Sequence, residues 1–271
     1  METKMKIGSF IPIRLDSERL PEKALKIING RPVVYHLLDR VAASKNLKSL
    51  RDIVVCTTHD PLDDQLATAV ADYGASIFRG DKLDLIKRFK DAADTFGFDI
   101  ILQIDGDDPL ADTEYMDLTI NALLKDKTLD AAVTKDLPFG VNVKSFTRAA
   151  LEKVFNHYQS KNNDTGFGLY FIKSKICKCL EIFPSKKEHR LEKARLTLDY
   201  QEDLEVFEEI FSALYKPDKV FGLEEIIKFL KSNPHIIEIN KGLQESYMSR
   251  SREILNIEYR NDNGYTERIE L

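Results

Sequence analysis

The chain has 271 residues, 43% apolar and 31% charged, with a formal charge of −5 from 40 basic and 45 acidic side chains. That composition is globular and excludes a disordered, collagen-like or low-complexity chain. No apolar stretch nears the ~18 residues needed to span a bilayer, and the acidic surplus argues against bulk attachment to nucleic acid or anionic membrane, where Lys and Arg must neutralise phosphates.

In chain order, short apolar runs predict strands at Ile7–Ile13, Ile53–Thr58, Ser76–Phe78, Ile100–Ile104 and Ala131–Thr134. They are apolar throughout rather than alternating, as strands covered on both faces are. Between two of them, Leu85, Phe89, Ala92 and Phe96 recur at helical spacing. Strands alternating with helices imply βαβ units and a mainly parallel sheet. Beyond residue 139 the pattern is less regular. Strand-like pieces at Val141–Ser145 and Leu169–Ile172 flank a helix over Arg148–Tyr158, and loops cover Ser160–Gly168 and Ser185–Lys193. One helix carries Leu204, Phe207, Phe211 and Leu214, and another spans Leu223–Lys231. Ile254–Arg260 and Tyr265–Leu271 flank a turn of hairpin composition ending at Gly264. We expect one α/β domain over residues 1–245 and a C-terminal appendage over 246–271.

Other features are quieter. Cys56 sits in an apolar run and reads as core, while Cys177 and Cys179 are too close for the usual zinc or redox pair. The five histidines have no metal-ligand spacing and are assigned surface or incidental roles. A sparse, odd cysteine count fits a reducing compartment. The N-terminus shows no signal-peptide core, so a cytoplasmic location is expected.

Three segments carry chemistry. The first, Ile11–Lys23, follows the first strand and concentrates Arg14, Arg19 and Lys23 around Ser17 and Pro21. Ligands of open α/β sheets bind beyond the carboxyl ends of strands, and guanidinium and ammonium groups there suit phosphate. Asp16, Glu18 and Glu22 nearly balance the charge, so the same residues also read as a solvated loop. The second, Asp105–Pro109, clusters Asp105, Asp107 and Asp108 after a strand. Such carboxylates repel unless a cation neutralises them, and Mg²⁺ takes carboxylate and phosphate oxygens. Asp, Gly and Pro also make turns. In the third, Arg195–Leu204, Asp199 stands at a strand-to-helix junction with Glu202 three residues on and reads as the N-cap of the following helix. Asp203 reads as a complement to the helix dipole.

The first segment resembles the signature I-x-A-R-x-x-S-x-R-L-P-x-K of the cytidylyltransferases that activate acidic sugars, closest to their spore-coat polysaccharide branch. Ile11, Arg14, Ser17, Arg19, Leu20, Pro21 and Lys23 match it. Similarity continues through residues 29–32, 55–58, 78–80, 103–110, 140–143, 195–204 and 221–225. The resemblance implies a Rossmann-like nucleotidyltransferase fold, a three-layer α/β/α arrangement with a mainly parallel mixed sheet. It also implies transfer of CMP from CTP to an acidic sugar, with release of pyrophosphate, for surface polysaccharide synthesis. Asp107 and Asp199 match the metal-binding positions and imply Mg²⁺; Arg14, Arg19 and Lys23 would hold the triphosphate, with Ser17 in the same loop. Thr57, Thr58 and Gln103 would meet the pyrimidine or ribose, or are ordinary strand residues. Arg79 and Gly80 would meet base or triphosphate, or merely end a strand. A homodimer through residues 139–190 is a further expectation from the relatives.

Departures are visible too: Asp16 and Glu22 stand where the branch usually has glycine, and Tyr200 replaces its usual Thr. Alternatives are a sugar-1-phosphate nucleotidyltransferase, whose G-x-G-T-R loop is missing, and a glycosyltransferase using Asp105-Gly-Asp107 as D-x-D. A catalytically silent nucleotide-binding scaffold is a third.

Overall fold

A computed structural model describes residues 5–160, 163, 166–255, 257–261 and 263–269. Eleven strands are present among them: β1 (Ile7–Pro12), β2 (Ile27–Ile28), β3 (Arg31–Pro32), β4 (Ile53–Thr58), β5 (Ser76–Gly80), β6 (Ile100–Gln103), β7 (Ala131–Thr134), β8 (Lys144–Thr147), β9 (Cys179–Ile182), β10 (Ile257–Arg260) and β11 (Thr266–Ile269). The α-helices are α1 (Val33–Ala42), α2 (Asp64–Tyr73), α3 (Leu85–Phe96), α4 (Thr113–Lys125), α5 (Arg148–His157), α6 (Leu169–Ile172), α7 (Gln201–Leu214), α8 (Leu223–Ser232), α9 (Pro234–Ile239) and α10 (Leu243–Ile254). None is long and apolar enough to cross a membrane.

Seven strands form one sheet in the order β5-β4-β1-β6-β8-β7-β9. All neighbours run parallel except β8, which is antiparallel to both β6 and β7. The unbroken apolar runs have the expected cause. Along β4 and β6, Ile53, Val55, Ile100 and Leu102 enter one core, while Val54, Cys56 and Ile101 enter the other. The first core takes in Leu37 of α1, Met116 of α4, Phe207 of α7 and Ile226 of α8. The second takes in Phe89 of α3, Leu151 of α5 and Tyr170 of α6. Helices therefore cover both faces, giving three layers.

Two expectations beyond residue 139 are corrected. Residues 169–172 form the short helix α6, not a strand, because Tyr170 and Phe171 turn into the second core; the Phe171 ring stacks 4.6 Å from Phe146. The strand expected at Val141–Ser145 starts only at Lys144, as β8, because Thr134 captures the Val143 N–H through its hydroxyl. The C-terminal hairpin forms as β10 and β11, and Ile257, Tyr259 and Ile269 enter the second core.

Because β1, β4, β5 and β6 are parallel, their carboxyl ends line one edge. Antiparallel β8 begins at that edge, so Lys144 pairs in register with Gln103, the last residue of β6.

Candidate active site

Two close backbone approaches assemble the acidic end of this edge. A side-chain carbon at Gly106 would fall 2.5 Å from the Pro12 carbonyl oxygen, so only glycine lets the Asp105–Asp108 loop close against β1. Gly140 has φ +94°, and a Cβ there would meet the Leu196 backbone at 2.2 Å. That contact brings in the extended segment 195–199, whose Leu196 N–H donates to the Phe139 carbonyl at 2.7 Å. Its Leu198 N–H donates to the Asp107 carbonyl at 2.8 Å. Asp199 is thereby delivered to Asp107 from nearly a hundred residues away in sequence.

The two carboxylates converge on one cation. Lys23 Nζ donates to Asp107 Oδ2 at 3.0 Å and to Asp199 Oδ1 at 2.9 Å, and Arg19 donates to the same Asp199 oxygen at 2.6 Å. Arg195, 3% exposed, holds the other Asp199 oxygen at 3.1 Å and grips Asp203 at 2.9 and 3.1 Å. Asp199 is not the helix cap. Asp203 takes that work, accepting from the Asp199 and Tyr200 N–H groups at 2.9 and 3.0 Å. Asp203 is a buried ion-pair partner as well as a dipole complement. Burial pushes the Asp199 carboxyl up, but Lys23 and Arg19 outweigh it and bring its pKa to about 2. Asp107 goes the other way: burial, with Asp199 and Asp105 nearby, outweighs Lys23 and raises it. Burial would lower the Lys23 ammonium, yet Asp107 and Asp199 hold it above its ordinary value. Beside them, Asp105 accepts from Lys144 and from Gln103, each at 2.8 Å. Asp108 is pushed well up by burial and its acidic neighbours.

The other end of the edge is built differently. Asp63 accepts from the Leu15 N–H at 2.9 Å and the Thr58 hydroxyl at 2.5 Å, tying the β1 loop to the end of β4. Arg79 donates to the carbonyls of Thr58 and Asp60, at 2.7 and 2.9 Å, and to Asp64. Arg88 donates to the carbonyls of Asp81 and Lys82 at 2.7 and 3.1 Å. Arg14 donates to the Lys82 carbonyl at 3.3 Å and lies 3.7 Å from Asp16. Thr57 is buried in β4, Ser17 is half-buried in the loop, and Gly80 ends β5 beside the Arg88 side chain. The structure thus joins Arg19, Lys23, Asp107 and Asp199 directly and places Gln103 next to them through Asp105. Arg14, Thr58 and Arg79 lie in the second group.

Asp63, Lys144 and Arg195 escaped the sequence reading as site residues. Their positions gave little signal: Asp63 lies past the end of β4, Lys144 opens β8, and Arg195 begins the extended segment that leads to Asp199. Two histidines were misjudged. His36 is buried 2.9 Å from the Ile28 carbonyl, and His189 is buried 2.8 Å from the Tyr115 hydroxyl. Clefts of about 320 and 330 Å³ flank Phe221, away from this charged row.

Among the described residues no three His, Cys, Asp or Glu side chains are grouped to hold a metal. Mg²⁺ asks for less. It is usually held by one or two protein carboxylates and completes its shell with phosphate oxygens and water. The hard oxygens of Asp107 and Asp199, already converging on one cation, fit that demand.

The strand order and the row of charged groups beyond the carboxyl edge define a Rossmann-like nucleotidyltransferase. A cytidylyltransferase of Leptospira borgpetersenii superposes with a TM-score of 0.78 at 29% identity, covering 86% of this chain and 97% of that one. The cytidylyltransferase family model matches residues 9–243, and the chain belongs to that family. An uncharacterised Methanocaldococcus jannaschii protein, MJ1063, is 32% identical over 250 residues, 90% of this chain and 98% of that one. The 3-deoxy-manno-octulosonate cytidylyltransferase of Pelobacter propionicus is 36% identical over 133 residues, 48% of this chain and 49% of its own.

Proposed function

We propose that the chain transfers a cytidylyl group from CTP to a hydroxyl of an acidic sugar and releases pyrophosphate, in a surface-polysaccharide pathway. The observation that carries this reading is the meeting of Asp107, Asp199, Lys23 and Arg19 at the carboxyl edge. The sugar hydroxyl oxygen bonds to the α-phosphorus as the bond to the β-phosphate bridge breaks, pyrophosphate leaves with the electron pair, and the hydroxyl proton passes to solvent. Little covalent help is needed; positioning and charge stabilisation dominate. Asp107 and Asp199 would hold Mg²⁺, which when bound neutralises phosphate charge and acidifies a coordinated hydroxyl. Lys23 and Arg19 turn from the carboxylates to the triphosphate oxygens, which offer equivalent charge-assisted hydrogen bonds. Arg14, on the same β1 loop, reaches the same anion and leaves the Lys82 carbonyl to Arg88.

Carbohydrate acceptors of the 3-deoxy-octulosonate type come from the named relative and from the resemblance of the β1 loop. A homodimer is part of the same reading, and light scattering showing only monomer removes it. The test of the nucleotide is thermal shift with each of the four NTPs, with and without Mg²⁺. A ligand at 100 times its dissociation constant stabilises the native state by about 2.7 kcal/mol. A CTP-selective, Mg²⁺-enhanced shift is expected. A preference for UTP or GTP would replace this reading with another nucleotidyltransferase, and no shift with any nucleotide would leave a silent scaffold.

A further inference from the structure

The family match ends at residue 243, where α10 begins. The chain enters α10 from the first core, which Ile236 of α9 joins, and leaves it for the second core, which Ile257 joins. A segment linking the two faces must cross an edge of the sheet, and its contacts identify which. Gln244 Oε1 accepts from Arg195 at 2.9 Å, and Arg250 donates to Glu18 of the β1 loop at 2.8 Å. The Tyr247 ring lies 5.3 Å from the Arg195 guanidinium carbon, 5.9 Å from that of Arg19, and 5.4 Å from the Phe139 ring. So α10 passes over the acidic end of the active site. Tyr247 is half-buried, and its hydroxyl has no hydrogen-bond partner among the described residues. Burial and the carboxylates of Asp107, Asp199, Asp105 and Asp108 hold that phenol protonated, as a donor.

We propose that α10 is the acceptor-side wall of this active site and that Tyr247 touches the acceptor and selects among carbohydrates. The inference rests on the cytidylyl-transfer reading and deepens it. A triphosphate calls for cations, and those sit on the β1 loop. What α10 and its surroundings offer is a free phenol and three half-exposed rings, Phe139, Tyr200 and Tyr247. That set suits a polyhydroxylated ring, whose hydroxyls accept from the phenol while its C–H faces lie on aromatic surface. The segment lies beyond the family match, so the selection is not carried by the part of the fold that the family model covers.

The test uses the full chain with Tyr247→Phe and Tyr247→Ala. Pyrophosphate release is measured with CTP and a panel of acceptors including 3-deoxy-manno-octulosonate and its 8-amino-3,8-dideoxy analogue. Losing one neutral hydrogen bond is expected to raise the acceptor KM about five-fold in Tyr247→Phe. Tyr247→Ala also loses the ring face, so its acceptor KM should rise further and the preference between the two octulosonates should change. The dissociation constant for CTP should stay within about two-fold in Tyr247→Phe, which keeps the ring that packs against Arg19 and removes no triphosphate contact. Weakened CTP binding with an unchanged acceptor KM would assign the wall to the nucleotide and overturn the proposal. Wild-type protein that binds CTP but transfers to no carbohydrate overturns the acceptor class assigned here. Protein that binds no CTP overturns the function reading itself, whatever the Tyr247 variants do.

Discussion

At the Asp107 end of the sheet edge, the cations face carboxylates: Lys23 bridges Asp107 and Asp199, and Arg19 adds to Asp199. At the Arg79 end they face mainly backbone: Arg79 and Arg88 each hold two carbonyls at 2.7–3.1 Å, and Arg79 adds a carboxylate, the exposed Asp64. The two ends carry similar charges in the same row, yet their partners differ in kind. A carboxylate can give up an ammonium to a metal ion while the ammonium passes to phosphate, because both exchanges replace one charge-assisted contact with another. A backbone carbonyl in a loop has no such replacement, and an arginine that satisfies it is part of the fold. Basic residues near a phosphate site therefore separate into exchangeable and structural ones by what they touch at rest.

The sharpest way to break this comparison is Asp107→Ala. The Asp107 backbone carbonyl, which anchors Leu198, is kept, and among the described residues its side chain bonds only Lys23. Turnover should fall by about 10³-fold or more, the scale of a lost metal contact worth several kcal/mol in the transition state, while the melting temperature barely moves. Near wild-type turnover would remove Asp107 from the chemistry. Arg88→Met probes the other end. Its guanidinium is fully buried and its carbonyl partners would be stranded, so the unfolding free energy should drop by about 3 kcal/mol. A stable Arg88→Met protein with weakened CTP binding would place that arginine among the exchangeable cations instead.

Lys23→Met tests exchange directly, through Mn²⁺ binding followed by electron paramagnetic resonance without nucleotide. A unit positive charge about 4 Å away costs even a singly charged cation about 4 kcal/mol at an effective dielectric constant of 20, and a divalent ion more. Recovering even a third of that tightens Mn²⁺ alone by about ten-fold. Binding of the Mn²⁺–CTP complex should weaken, since a phosphate partner is lost. If Mn²⁺ alone binds no better, Lys23 is not the group that a metal displaces.

Much of this arrangement was legible in the sequence where a single local rule governs it. Apolar runs marked the strands of a doubly covered sheet, and the residues just past them marked the edge. Asp107, Lys23 and Arg19 were found in that way, while Asp199 reads locally as a helix cap and joined the site only through the family resemblance. What was missed depends on pairing across the chain. Lys144 reaches Asp105 only because β8 runs antiparallel and starts at the same edge. Asp203 read only as a complement to the helix dipole; it also caps α7 through the Asp199 and Tyr200 N–H groups, and its burial against Arg195 comes from the chain folding back beside Gly140. The run Leu169–Ile172 reads equally as strand or helix, and only the aromatic cluster around Phe146 decides. Helix α10 has weak amphipathic signal because it bridges two cores instead of packing one face on either.

The smallest expected effect lies in the loop that joins the two ends. Glu22 has φ 54° and ψ 29°, the left-handed region, and its N–H donates to the Leu15 carbonyl at 3.3 Å. A side chain there costs roughly 1–2 kcal/mol, which explains why glycine is the residue that the resemblance leads one to expect. Glycine would lose about 0.5–1 kcal/mol to extra freedom in the unfolded chain. Glu22→Gly should therefore stabilise the protein by about 0.5 kcal/mol, the difference between those terms. It should also tighten CTP slightly, because one acid next to Lys23 is gone. Glu22→Ala separates the causes: it removes the same charge but keeps the strain. Tighter CTP with unchanged stability in Glu22→Ala, and both gains in Glu22→Gly, would show that strain and charge act independently. Loss of stability in both variants would mean that the Glu22 carboxylate itself holds the loop, and that an acid at this position belongs to the structural side of the comparison.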